Sequence, residues 1–225
     1  MFATINTIRG KFPELPLMTS GWDTPKNIGR RRRGTWIYRA DSPEGPFEPW
    51  SDGPIPPADW STLDGTFWVE DGRPYMVFCH EWVQVRDGRM VAVELSSDLK
   101  SAVGRPFELF VASSRPGAPR DPKCIHVTDG PWLHRTAAGE LLMTWSSMGP
   151  AGYAVYVTQS KSGKLAGPWG PHELVFSADG GHGMIFTTFD GQLKFAFHQP
   201  NSPGEKKRAR IFTVTEDGGL LKIHR

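Results

Sequence analysis

The chain has 225 residues and a formal net charge of +2, enough length to bury the core of one all-β domain but no general electrostatic case for a nucleic-acid or membrane partner. Its two cysteines, Cys79 and Cys124, exclude a disulfide framework and lack metal-ligand spacing, so Cys79 reads as a buried thiol in a strand. The first residues hold no apolar run long enough for a signal-peptide core or a membrane span, and a cytoplasmic chain is expected.

Residues 1–33 show no strand pairing and read as an irregular segment, broken by prolines and a glycine between Phe12 and Pro25. The arginine run Arg30 to Arg33 reads as a solvated loop, because no aromatic interleaving or basic helix accompanies it. A second region, 34–225, opens with the β-prone Thr35 to Ala40 and a turn-rich stretch from Asp41 to Phe47.

The unit from Leu63 to His80 then sets the plan. A polar residue and a glycine, Asp64-Gly65, lead into a strand; Asp71-Gly72 turns it; Pro74 to Cys79 returns. The same order follows Asp129-Gly130, with its turn at Ala138-Gly139, and His182-Gly183, with its turn at Asp190-Gly191. Met90 to Leu95 and Tyr153 to Thr158 read as third strands, and Leu95 to Val103 as at most one helical turn, stopped by Gly104 and Pro106. A repeat of roughly 60 residues with several short strands in each predicts blades of a β-propeller. Three blades and the tail of an earlier one are recognisable.

In a propeller the first strand of each blade lines the central channel, so Asp64, Asp129 and His182 are expected to converge at one mouth. Two carboxylates there suit glycosidic bond hydrolysis, in which one carboxyl protonates the leaving oxygen and another activates water or attacks the sugar. The plainer reading is that Asp-Gly starts a tight turn, as at Asp71 and Asp190. His182 reads as a metal ligand, a substrate donor or a core histidine. His80, Glu81, Trp82 and His198 end their strands and either reach the same pocket or mark solvent-facing ends. Arg120-Asp121-Pro122 sits in an irregular loop, and Lys206 to Arg210 reads as a solvated one.

The motifs LDGTFWVEDGRPYMVFCHEW, VTDGPWLHR with LLMTWSS, and DGGHGMIFTTFDGQLKFAFHQPN resemble successive blades of glycoside hydrolase family 43. The resemblance runs from about Arg33 to the C-terminus. It implies an all-β, five-bladed propeller that hydrolyses arabinose- or xylose-containing glycans with inversion, using three carboxylates. Asp64 then matches the carboxylate that tunes and orients the acid. Asp129 stands at the general-acid position, one methylene shorter than the family's usual glutamate, and His182 matches a channel histidine that holds calcium or its waters. His80, Glu81, Trp82, Trp132 and His198 are the implied substrate contacts. The general base has no counterpart, so the first blade and part of the second are expected to be missing and the chain to be inactive alone; a non-catalytic carbohydrate-binding propeller or a remnant of a glycosidase is the alternative. No cofactor is required, and the channel has a place for a structural calcium ion. The expected partner is a pentose-containing oligo- or polysaccharide, with no nucleic acid or membrane, and self-association through open edges.

Overall fold

Asp-Gly and single-glycine turns cut the chain into strands of at most ten residues, each able to pair with the next. A computed structural model of the chain describes residues 1–7, 32–55, 57 and 59–224. Its first sheet contains β1 (Phe2–Thr7), β2 (Arg32–Arg39) and β3 (Glu48–Pro49). The second contains β4 (Thr62–Glu70), β5 (Arg73–His80), β6 (Arg89–Leu95) and β7 (Ala102–Val111). The third contains β8 (Asp129–Arg135), β9 (Leu141–Gly149), β10 (Gly152–Ser160) and β11 (Trp169–Phe176). The fourth contains β12 (Gly181–Thr187), β13 (Leu193–Gln199), β14 (Arg208–Asp217) and β15 (Leu220–His224). All pairings within these sheets are antiparallel. Strand β4 packs beside β1 and β8, and β8 beside β12, the arrangement of propeller blades.

Two expectations change. The described residues form four sheets, not five blades, because blades of roughly 60 residues leave room for fewer than four complete ones in this length. The segment 1–33 is not irregular at its ends: Phe2–Thr7 pairs with Arg32–Ile37. The alternating residues of β1 allow a strand, but its partner lies too far along the chain for a hairpin signal to show it. The interrupted stretch from Phe12 to Pro25, and Arg30 and Arg31 of the arginine run, lie outside the described residues, whereas Arg32 and Arg33 belong to β2 and not to a loop. The segment from Leu95 to Val103 holds a Ser96–Ser101 turn instead of a helical one, fixed by Ser96 Oγ donating to Asp98. The helix α1 (Trp82–Val85) is a single turn after β5. Among the described residues no helix is long and apolar enough to cross a membrane.

The apolar run of β5 has no polar alternation because both of its faces are covered. Met76 and Phe78 pack with Ile37, Val91 and Val93 between the first two sheets, whereas Val77 and Cys79 pack with Leu133, Met143 and Trp145 between the second and third. Leu142, Val155 and Val157 face the other way, onto Ile185, Phe195 and Phe197 of the fourth. Charged contacts join neighbouring sheets at the turns: Lys164 Nζ lies 2.8 Å from Asp71, and Glu216 accepts from the Ala137 amide at 2.9 Å while His134 lies 2.6 Å from its other oxygen.

Candidate active site

The inner strands of the second, third and fourth sheets each break register once, near their start. The shifts fall between Leu63 and Thr66, between Asp129 and Trp132, and between Gly181 and Met184, leaving Asp64-Gly65, Gly130-Pro131 and His182-Gly183 as the bulged residues. The first residue of each pair has a left-handed backbone: φ is 58° at Asp64, 52° at Gly130 and 57° at His182. Asp64, Gly130 and His182 are therefore the equivalent positions. Asp129 stands one residue earlier, level with Leu63 and Gly181, so the apparent series of Asp, Asp and His is offset at its middle member.

That offset brings the three chemical groups together. Gly130, freed of a side chain, donates its N–H to Asp64 Oδ2 at 3.1 Å, and His182 Nε2 lies 3.6 Å from Asp64 Oδ1. A Cβ on Gly130 would lie 2.9 Å from the His182 ring, so this approach requires glycine. The His182 amide donates to the buried Ser146 hydroxyl at 2.8 Å, which fixes the third bulge against the neighbouring sheet. Tyr153 donates its hydroxyl to Asp129 Oδ2 at 2.7 Å. Ser146 pairs directly with Asp129 across β8 and β9.

Burial pushes the Asp129 carboxyl up to about 6, and the neighbouring Asp64 charge adds to the rise; the Tyr153 hydrogen bond, His182 and Arg33 oppose it. Burial also raises Asp64, against the pull of His182 and the Gly130 amide. The arrangement can therefore keep a proton on Asp129 in mildly acidic water while Asp64 favours its retention.

Glu81 is a third carboxylate behind this pair. It is 1% exposed, accepts from Arg33 at 2.6 Å and from Ser61 Oγ at 2.6 Å, and burial raises it. A cavity of about 590 Å³ opens in front, with Asp64, Trp132, His182 and His198 in its wall and Lys207 and Arg208 at its rim. Of the expected substrate contacts, Trp132 and His198 line this wall. His80, Glu81 and Trp82 are not in this wall, and Asp129 stands just behind it, next to Gly130, which is in it. His80 stacks on Trp60 at 4.1 Å and meets Gln84 at 2.8 Å, and Trp82 begins α1. Arg120-Asp121-Pro122 lies in a separate cleft.

Tyr153, Ser146, Lys207 and Arg208 were not legible as site residues. Tyr153 and Ser146 enter through the pairing of β9 and β10, which no local motif reports, and Lys207 and Arg208 look like any charged loop. Calcium is the ion expected at His182, directly or through its waters. It takes six to eight oxygen ligands, whereas His182 offers a nitrogen facing one carboxylate, and among the described residues no three His, Cys, Asp or Glu side chains gather to hold a metal.

Comparison with curated protein sequences gives no match. Among solved structures, an endo-arabinase from Bacteroides thetaiotaomicron VPI-5482 is 38% identical, covering 84% of this chain and 68% of that one, with a TM-score of 0.76. A thermostable family-43 glycoside hydrolase is 20% identical, over 86% of this chain and 67% of that one, with a TM-score of 0.72. An endo-1,4-beta-xylanase, also from Bacteroides thetaiotaomicron VPI-5482, is 21% identical over 87% and 67%, with a TM-score of 0.67. The last two likenesses concern the fold. The pattern described as Glycosyl hydrolases family 43 matches residues 5–220, across all four sheets and every bulge that carries Asp64, Asp129 and His182 into contact, and the chain belongs to that family.

Proposed function

We propose that this chain is a glycoside hydrolase domain for arabinose- or xylose-containing glycans, with Asp129 as the general acid and Asp64 as the carboxylate that tunes and orients it. The observation that carries this reading is the pairing of Asp129, raised to about 6, with Asp64 held on the Gly130 amide beside it. A sugar entering the cavity meets His182 and His198 as polar partners and Trp132 as an apolar wall. Asp129 gives its proton to the leaving oxygen, and the Tyr153 hydroxyl steadies the carboxylate that remains.

Inversion also needs a carboxylate base about 6.5–9.5 Å from the acid. Asp64 is the one carboxylate in the described cavity wall, and Glu81 is committed to Arg33 and Ser61. That observation favours a second reading, a propeller that binds pentose oligosaccharides without cleaving them. Incubation with arabinan, xylan and aryl pentosides separates the two. Pentose release that Asp129→Ala lowers by roughly 10²–10⁴-fold supports hydrolysis. Saturable calorimetric binding without release supports the binding reading, and neither signal would sink both. A calcium titration in the same calorimeter tests whether a structural ion is taken up.

A further inference from the structure

A second cleft, of about 920 Å³, lies under the loop 113–126 and is lined by Arg86, Asp87, Arg115, Arg120 and His126 among others. Arg115 is its unusual member. The residue is only 9% exposed, its Nε donates to Ser147 Oγ at 3.2 Å, and its guanidinium lies 5.9 Å from the Tyr156 ring centre. Both neighbours are neutral. Among the described residues no carboxylate lies within 4.0 Å of it. A buried cation without a counter-charge is costly, and such a group persists where a ligand supplies the missing charge.

The other groups in the cleft do not supply it. Asp87 accepts from the Ser113 amide at 2.9 Å and the Ser113 hydroxyl at 2.5 Å, and Asp121 accepts from the Lys123 amide at 2.8 Å. Three arginines against two aspartates leave one positive charge in the lining, which suits a monoanion better than a dianion. His126 adds a buried Nδ1 with no partner.

The cleft and the candidate active site draw on neighbouring residues of β9 and of the segment entering β8. His126 lies three residues before Asp129, and Ser147, which holds Arg115, follows Ser146, which holds His182. Resting on the glycan-binding reading above, we propose that the Arg115 cleft binds the carboxylate of an acidic sugar, a uronate unit of the same polymer, with Arg86 and Arg120 at its rim. The planar guanidinium matches a carboxylate through two parallel hydrogen bonds.

Titration calorimetry of the full chain with galacturonate, galactose and inorganic phosphate tests this. Galacturonate is expected to bind at least tenfold more tightly than galactose, more weakly as salt rises, and to lose tenfold or more in Arg115→Met. Equal binding of galacturonate and galactose, or tighter binding of phosphate, would overturn the assignment. Where Arg115→Met does not fold, the unaltered chain still decides: its melting temperature must rise with galacturonate and not with galactose. Galacturonate binding that depends on Arg115 supports the proposal even if no pentose is released. Pentose release without galacturonate binding overturns it and leaves the hydrolase reading standing.

Discussion

At the scale of single residues, the site is a device for setting one proton. Asp129 titrates at about 6 because its carboxyl is buried and because Asp64 adds negative charge. Replacing Asp64 with Asn removes that charge, stabilises the ionised form of Asp129 and lowers its pKa. Tyr153→Phe removes a hydrogen bond to the carboxylate and raises it. Carbon-13 NMR titration of the Asp129 carboxyl reads both shifts directly. If the chain hydrolyses glycans, the alkaline limb of its rate profile moves down in the first variant and up in the second. Identical Asp129 titration in all three proteins would remove the tuning role from Asp64 and Tyr153 alike. The candidate residues Asp64, Asp129 and His182 were legible because a polar residue before glycine stands out where a strand begins. Their geometry was not. An Asp-Gly pair looks the same whether Asp or Gly takes the left-handed position, and only the register of β8 against β9 shows that Gly130 does.

At the scale of the element, the repeated bulge explains both the site and its cost. Non-glycine residues with φ near 58° are strained by about 1–3 kcal/mol each, and Asp64 and His182 carry that strain. His182→Gly is therefore expected to stabilise the fold by about 1 kcal/mol while weakening pentose binding, a trade measurable by denaturant melts and calorimetry on the same protein. Gly183 works in the opposite sense. A Cβ there would lie 2.1 Å from the Ala196 carbonyl oxygen, so Gly183→Ala should cost at least about 1–3 kcal/mol and shift the urea midpoint downward. The strands themselves were largely readable: β5, β6, β9 and β10 fall where apolar runs bounded by turns place them. Strand β1 was not, because its partner β2 is brought beside it by pairing across a long stretch of sequence. His80 and Trp82 do not line the cavity. His80 ends β5 with its ring on Trp60 and Gln84, and Trp82 begins α1, an arrangement that no local motif reports.

For the whole molecule, the seams between sheets decide how it responds to its surroundings. His172 is buried in one of them, with ring centres 4.7 Å from Phe110 of the second sheet and 5.4 Å from Trp145 of the third, and neither ring nitrogen has a partner. Burial lowers it to about 4 from an ordinary 6.5. Above pH 6.5 the ring is neutral folded or unfolded, and its packing is fully available. As pH falls from 6.5 to 4 the unfolded chain takes up a proton that the folded one refuses, and stability declines by about 3 kcal/mol before levelling off. Melting curves across that window should flatten in His172→Phe, which keeps a ring without titrating. An unchanged slope would place the acid sensitivity elsewhere. The seams also follow one another in order, first sheet to second, second to third, third to fourth. Such a row resembles a short chain of linked units, in which each owes its stability to its immediate neighbours. The two inner sheets are gripped from both sides, and the outer two from one described side. Amide hydrogen exchange should therefore run inward from the ends, with β5, β6, β9 and β10 the last to surrender their protons and the first and fourth sheets opening well before global unfolding.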